Sequence, residues 1–324
     1  MLESLVENTK TRIDTIKKMI DYHQEIISNC NPEERLLFKE YSVSSCVTKL
    51  YAVYESFIQN ALSDYMDALS ERIRFESLAD TFKNHYRIGI SEILNKINFS
   101  KYKDLTHVNV IKWYHEALEN QRPYRFVNKA LITHDQNLRL KILESIFSKL
   151  ELKELKEWLS NRTEIIDLYQ DEKSIYEQLE SEINNFVSLR NDASHGVVDN
   201  LESHESLLRY CLLLNSLMYS ISIYLNKEIL KVSIAEGKAI KLGVITETLK
   251  VPNINIIQLN KGVSIDTVTK YYFIGKNSFT QQYICSMQLD GEKLDSITSS
   301  QDKLEVGIKC KSLSKNKVTV YSFS

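Results

Sequence analysis

ILKVSIAEGKAIKLGVITETL, residues 229–249, is the stretch in which the hydrophobic period of the chain changes. On its N-terminal side, from about Leu201 to Leu230, Leu207, Cys211, Leu214, Leu217, Met218, Ile221 and Leu225 recur at the three- and four-residue spacing of a helix face. The face is broad, which predicts a helix central to a bundle. Past Glu236 and Gly237 the helical period is lost, and from Ile240 to Thr248 apolar and β-branched residues suit a strand instead. The switch places a domain boundary there. Residues 1–236 read as a helical domain and 237–324 as a small β-barrel, so the fold class is mainly α with a C-terminal β-barrel.

Upstream of the switch, Leu2 to about Ser28 and Glu34 to Ile73 each carry an amphipathic helix pattern, separated by Asn29–Pro32. In the second, Tyr51, Tyr54 and Phe57 belong to an apolar stripe, and Glu55 sits among them in the sequence YESF. The pattern weakens from Phe75 to Arg125. Two short helices, Tyr86–Ile97 and Val108–Glu119, suit an insert packed on the main bundle. Gln136–Leu155 reads as one strong helix, followed by apolar segments at Leu155–Ile166 and Ile175–Leu189. Downstream of the switch, five more strand-like runs follow: Ile254–Leu259, Thr267–Ile274, Tyr283–Leu289, Leu304–Cys310 and Val318–Phe323. Turn residues such as Asn260–Gly262 and Asp290–Gly291 separate them. Strands at this spacing favour a barrel.

Eight glycines and three prolines in 324 residues leave few breakers, in keeping with long helices. The net charge of −2 opposes wholesale binding to nucleic acid, but it is unevenly spread. From Lys238 onward 12 lysines face 7 acids, a balance of +5, while the preceding residues carry −7. An anionic partner therefore meets the C-terminal part first, and Lys241, Lys250, Lys276 and Lys309 are its candidate RNA contacts; a solvated lysine face is the competing reading. The five cysteines show no CxxC or metal-ligand spacing, as expected of reduced cytoplasmic thiols. No signal peptide or membrane span is expected.

Between the last two helix patterns lies RNDASHG, Arg190–Gly196. Asp192, Ser194 and Gly196 favour caps and turns, which predicts that a helix ends or bends near Arg190, with Asp199 and Asn200 capping the next. Histidine can carry a proton at neutral pH, and the planar fork of arginine binds phosphate. A bend that brings Arg190 and His195 together suits RNA cleavage, in which the 2′-hydroxyl attacks its own phosphate and neither metal nor cofactor is needed. By residue type alone, an Arg–Asp pair at a helix junction with His195 filling a turn competes with that reading.

LRNDASHG between two apolar helices resembles the signature of HEPN domains: an Arg, a polar residue, variable positions and a His. The YESF segment around Glu55 and NLRLKILESIF from Asn137 are similar to helices of a bacterial conflict-system branch of that family. The resemblance implies a helical bundle and a metal-independent endoribonuclease of a toxin or antiviral defence system. Its partners would be RNA, a second copy joined through the helical domain, and an antitoxin or defence-complex protein. By the same carry-over Arg190 would hold phosphate, His195 would move protons, Asn191 would orient the site and Glu55 would support it. Some toxins of the family carry a modified Tyr two residues after the His, where this chain has Val197. A non-catalytic nucleotide-binding, adaptor or sensor subunit is the alternative within the family. GVITETL from Gly243, SFTQQYICSMQLDGEKLDSI from Ser278, EVGIKC from Glu305 and the closing KVTVYSF resemble the second-domain barrel of translation elongation factors. That likeness implies guidance to tRNA or ribosomal RNA.

Overall fold

The computed structural model describes residues 2–121, 123–134, 136–169, 174–195, 201–251, 253–275, 278–314 and 317–323, with the side chain of His195 excepted. By packing the chain divides into two units, Met1–Asn226 and Lys227–Ser324.

The first unit holds α1 (Glu3–Asn29), α2 (Pro32–Arg72), α3 (Asp80–Asn95), α4 (His107–Leu118), α5 (Lys129–Ile132), α6 (Leu140–Lys149), α7 (Leu155–Ser160), α8 (Thr163–Ile166), α9 (Ile175–His195) and most of α10 (His204–Ala235). Local chemistry sets the start of α2: the Asn31 side chain accepts from the Glu34 amide at 2.9 Å, Pro32 opens the first turn, and Glu33 and Glu34 face the positive end of the helix dipole. Over 41 residues α2 buries Leu50, Tyr54, Phe57, Ile58, Ala61 and Leu62, packing on α1 and α9. From α9 come Leu179, Ile183, Phe186 and Val187, and from α10 Leu214, Leu217 and Ile221, all at 0% exposure. Length and composition would let α10 cross a membrane, but 67% of its most apolar window is buried inside the protein, as in the core helix of a bundle. Arg209 of α10 forks onto Glu182 of α9 at 2.7 and 3.0 Å, tying the two helices.

The region from Phe75 onward has an aromatic core of its own. Phe75, Phe82, Tyr86, Tyr124 and Phe126 meet with ring centroids 5.1 to 6.3 Å apart, so this core reaches past Arg125. The Tyr86 hydroxyl accepts from the Val127 amide at 2.9 Å. Here α3 lies so close to α5 that a Cβ on Gly89 would stand 1.9 Å from the Ala130 carbonyl oxygen, a position only glycine can fill.

The helix expected over 136–155 is shorter, running from Leu140 to Lys149. At its front, Asn137–Arg139 form a non-helical connection whose polar groups bond to other helices; behind it, Glu151 takes a left-handed φ of 61°. Side chains that work elsewhere and a positive φ both stop helix propagation.

The division between the units falls within α10, and the secondary structure changes between Ala235 and Ala239. The second unit contains β1 (Ala239–Leu249), β2 (Ile254–Leu259), β3 (Ser264–Asp266), β4 (Lys270–Ile274), β5 (Phe279–Leu289), β6 (Glu292–Leu294), β7 (Ser296–Thr298), β8 (Leu304–Cys310) and β9 (Thr319–Phe323). Antiparallel pairing runs β4-β9-β1-β2-β8-β5 and returns through β4–β5, closing a six-stranded barrel. Alternating residues fill it, among them Leu242, Ile245, Ile257, Phe273, Ile284, Val306 and Val320. β1 shifts register between Lys241 and Gly243 and again between Ile245 and Glu247, bulges that bend the strand round the barrel. At Gly243 a Cβ would lie 2.2 Å from the Gln258 carbonyl oxygen. Closure leaves β6 as the free edge of this sheet among the described residues, while β3 and β7 pair in a separate two-stranded sheet.

Candidate active site

The expected break at Arg190 is not present: α9 continues through His195. Residues that favour turns are accommodated inside it. The Ser194 hydroxyl donates to the Arg190 carbonyl one turn back at 2.9 Å, and Asp192 points to solvent. A regular helix keeps positions 190 and 195 about 140° apart around its axis and positions 191 and 195 on one side. The His195 side chain, Gly196, Val197, Asp199 and Asn200 lie outside the described residues.

Arg190 is half-buried and held by neutral groups. Its Nη1 donates to Asn137 Oδ1 at 3.2 Å and to Asn191 Oδ1 at 3.3 Å, and its guanidinium carbon stands 4.4 Å from the centre of the Tyr51 ring. Asn137 is the hub. Its Nδ2 donates to Asn191 Oδ1 at 3.0 Å, and its Oδ1 also faces the Tyr51 hydroxyl at 3.4 Å. That hydroxyl accepts from the Leu138 amide at 3.0 Å. Burial pushes the Tyr51 hydroxyl above its ordinary pKa, opposed by the Leu138 bond; Glu55 pushes it further up and Arg190 draws it down. Arg139 fastens the same segment to α9 through the Asn184 carbonyl and the Ser188 hydroxyl, both at 3.1 Å.

Among the described residues Arg190 forms no ion pair, with Asp192 or any other carboxylate, and its Nε is buried without a hydrogen-bond partner. Among the described residues, then, Arg190 and Asp192 form no clasp. A cation left uncompensated beside a surface is suited to an anion, and its neutral clamps fix its orientation without spending its charge.

Glu55 lies one turn along α2 from Tyr51, half-buried. It lines a cavity of 530 Å³ between α2 and the segment from Lys101 to His134. Gln59, Asn60, Ser63 and Asp67 continue the α2 wall; Trp113, Arg125, Asn128 and His134 are on the other. Arg125 stacks over Trp113 at 4.1 Å. Lys129 pairs with Asp104, and Asn128 bonds Ser63 and Asp67. No three His, Cys, Asp or Glu side chains gather as a metal donor set among the described residues.

In the barrel Lys241, Lys250 and Lys309 are exposed, and Lys276 lies outside the described residues. The three described lysines do not form one patch. Lys241 and Lys250 stand at opposite ends of β1, about 30 Å apart at strand rise, whereas Lys309 reaches the Lys250 end because β2 pairs Asn255 with Ile308.

Tyr51 and Asn137 are the site members that reading by position passed over. Tyr51 is 2% exposed and belongs to the core stripe as well as the site. Its signal was the four-residue step to Glu55, and that of Asn137 was its place at the head of NLRLKILESIF.

The family model of HEPN_MAE_28990-like HEPN matches residues 1–232. Such a match supports a nuclease, RNA-related or nucleotide-binding role. No curated protein matches the chain. Among solved structures, the chain is similar to the C-terminal domain of a Geobacillus thermoleovorans protein assigned to the U32 peptidases and to its selenomethionine variant. Each is 16% identical with a TM-score of 0.22, over 25% of this chain and 88% or 96% of the other.

Proposed function

Because this chain belongs to the HEPN_MAE_28990-like HEPN family, we propose that it is a metal-independent endoribonuclease of a toxin or antiviral defence system. It acts in the cytoplasm at a composite site between two copies, with tRNA and ribosomal RNA as its first candidate targets. The observation that carries this reading is the Arg190 cation, held by two asparagine oxygens and a tyrosine ring and paired with no carboxylate among the described residues.

In this reading the guanidinium of Arg190 binds the non-bridging oxygens of the scissile phosphate, where negative charge builds as the reaction proceeds. His195 takes the proton from the 2′-hydroxyl, and the freed oxygen attacks phosphorus. The bond to the 5′-oxygen breaks, and an imidazolium returns a proton to that oxygen. The products carry 2′,3′-cyclic phosphate and 5′-hydroxyl ends. Positions 190 and 195 stand about 140° apart around a regular helix, which suits a site that draws its two groups from different copies. Two α9 helices related by a two-fold axis would supply Arg190 from one side and His195 from the other, with Asn191 setting the angle of Arg190. The barrel, with its excess of lysine, would contribute affinity for RNA or the ribosome.

Expression of wild type, His195→Ala and Arg190→Ala side by side, with sequencing of RNA 5′ ends, tests this. Cleavage at defined sites in wild type, in the presence of EDTA and absent from both variants, is the expected result. Equal cleavage by the His195→Ala protein sinks the assignment.

A further inference from the structure

We infer that the 530 Å³ cavity beside the Arg190 network is a base-reading subsite for a guanine nucleotide of the RNA. The assignment takes its substrate class from the ribonuclease reading above. The volume is that of pockets that enclose small ligands.

Two stretches of chain join the cavity to Arg190. Along α2, Tyr51 carries the guanidinium on its ring and Glu55, on the next turn, lines the cavity. In the connection before α6, His134 lines the cavity and Asn137, three residues on, bonds Arg190. A phosphate at Arg190 therefore leaves a neighbouring nucleotide within reach of the cavity.

The charges within the cavity are divided. Asn128 donates to Asp67 and leaves its own Oδ1 buried without a partner, whereas Lys129 and Asp104 satisfy one another as wall. Glu55 and Arg125 do not: among the described residues neither has an ion pair or hydrogen bond, and Arg125 has only the face of Trp113. A carboxylate accepts two donors side by side, and guanine alone of the four bases offers two adjacent donors, N1–H and N2–H, on its Watson–Crick edge. A guanidinium spread over an indole suits the phosphate of the same nucleotide, with the aromatic group keeping it oriented. Glu55 thus selects the base and Arg125 holds the phosphate.

Titration calorimetry of the full chain with the 3′-monophosphates of guanosine, adenosine, cytidine and uridine tests the assignment. Guanosine monophosphate is expected to bind at least about tenfold more tightly than the others. Glu55→Gln, which keeps the shape but turns one acceptor into a donor, should abolish that preference. Exposed Arg125→Ala should weaken all four nucleotides by about tenfold. Equal binding of the four, no binding to folded wild type, or an unchanged preference in Glu55→Gln overturns the subsite. Guanosine-selective binding by a chain that cleaves no RNA keeps the subsite and removes the ribonuclease. Cleavage with no guanosine bias at the mapped ends does the reverse.

Discussion

Two asparagines organise polar networks in this chain, one in each unit. Asn255 of the barrel is 0% exposed, and its Oδ1 accepts from the Ser314 amide at 2.9 Å and faces the Thr248 hydroxyl at 3.3 Å. That hydroxyl also reaches the Ser314 carbonyl at 2.6 Å. Both partners of the Asn255 oxygen are neutral, and one is a backbone group of the segment after β8. Asn137 of the helical unit is half-buried, and what it holds is a guanidinium. The first amide satisfies backbone that would otherwise be stranded in the barrel wall, which is a stabilising role. The second orients a charge that no carboxylate pairs among the described residues, which adds little to the fold and gives the surface something to bind with. The same side chain thus closes a structure in one place and presents a reagent in the other.

Arg190 separates the two roles most directly. Arg190→Ala should lower RNA cleavage by about 10²- to 10³-fold, the usual cost of removing one donor to a developing oxyanion, while leaving denaturant unfolding nearly unchanged. A loss of stability equal to that of the barrel variant would erase the distinction. Asn255→Ala is that variant. It strands the Ser314 amide and should cost about 1–3 kcal/mol in urea unfolding with the pattern of cleavage sites retained. Asn137→Asp extends the contrast, because it offers Arg190 a carboxylate where none pairs with it among the described residues. Cleavage should fall by about tenfold while stability holds or rises; a more active Asn137→Asp protein would contradict the account. The smallest effect concerns the barrel wall. Cys310 faces the core and its thiol is pushed up to about 12 by burial, as is that of Cys211 in the bundle, whereas Cys285 is exposed. At pH 8 a thiol of that pKa is thiolate to about one part in 10⁴. Mass spectrometry after brief alkylation should find Cys285 modified, and Cys211 and Cys310 only after unfolding.

The six strands that close the barrel were legible because each carries at least five residues of alternating or β-branched pattern. β3, β6 and β7 were not, since three residues make no period. The residue types of RNDASHG favour a helix break. In the structure, burial of Ile183, Phe186 and Val187 on one helix outweighs the propensities of Asp192 and Ser194. Arg190 and Asn191 could be found from their own segment. Tyr51 and Asn137 could not, because their bond to one another spans 86 residues of sequence and exists only once α2 and the segment before α6 have packed. A close-range motif shows which group could react, while its clamps come from tertiary structure.

The unbroken course of α9 also bears on dosage. Under the proposed pairing, well below the dissociation constant of the pair the active species grows as the square of chain concentration, so a twofold rise yields about fourfold activity. Leaky synthesis would then be harmless and a burst would not. The geometry of a single helix would set a threshold of expression, before any inhibitor is considered.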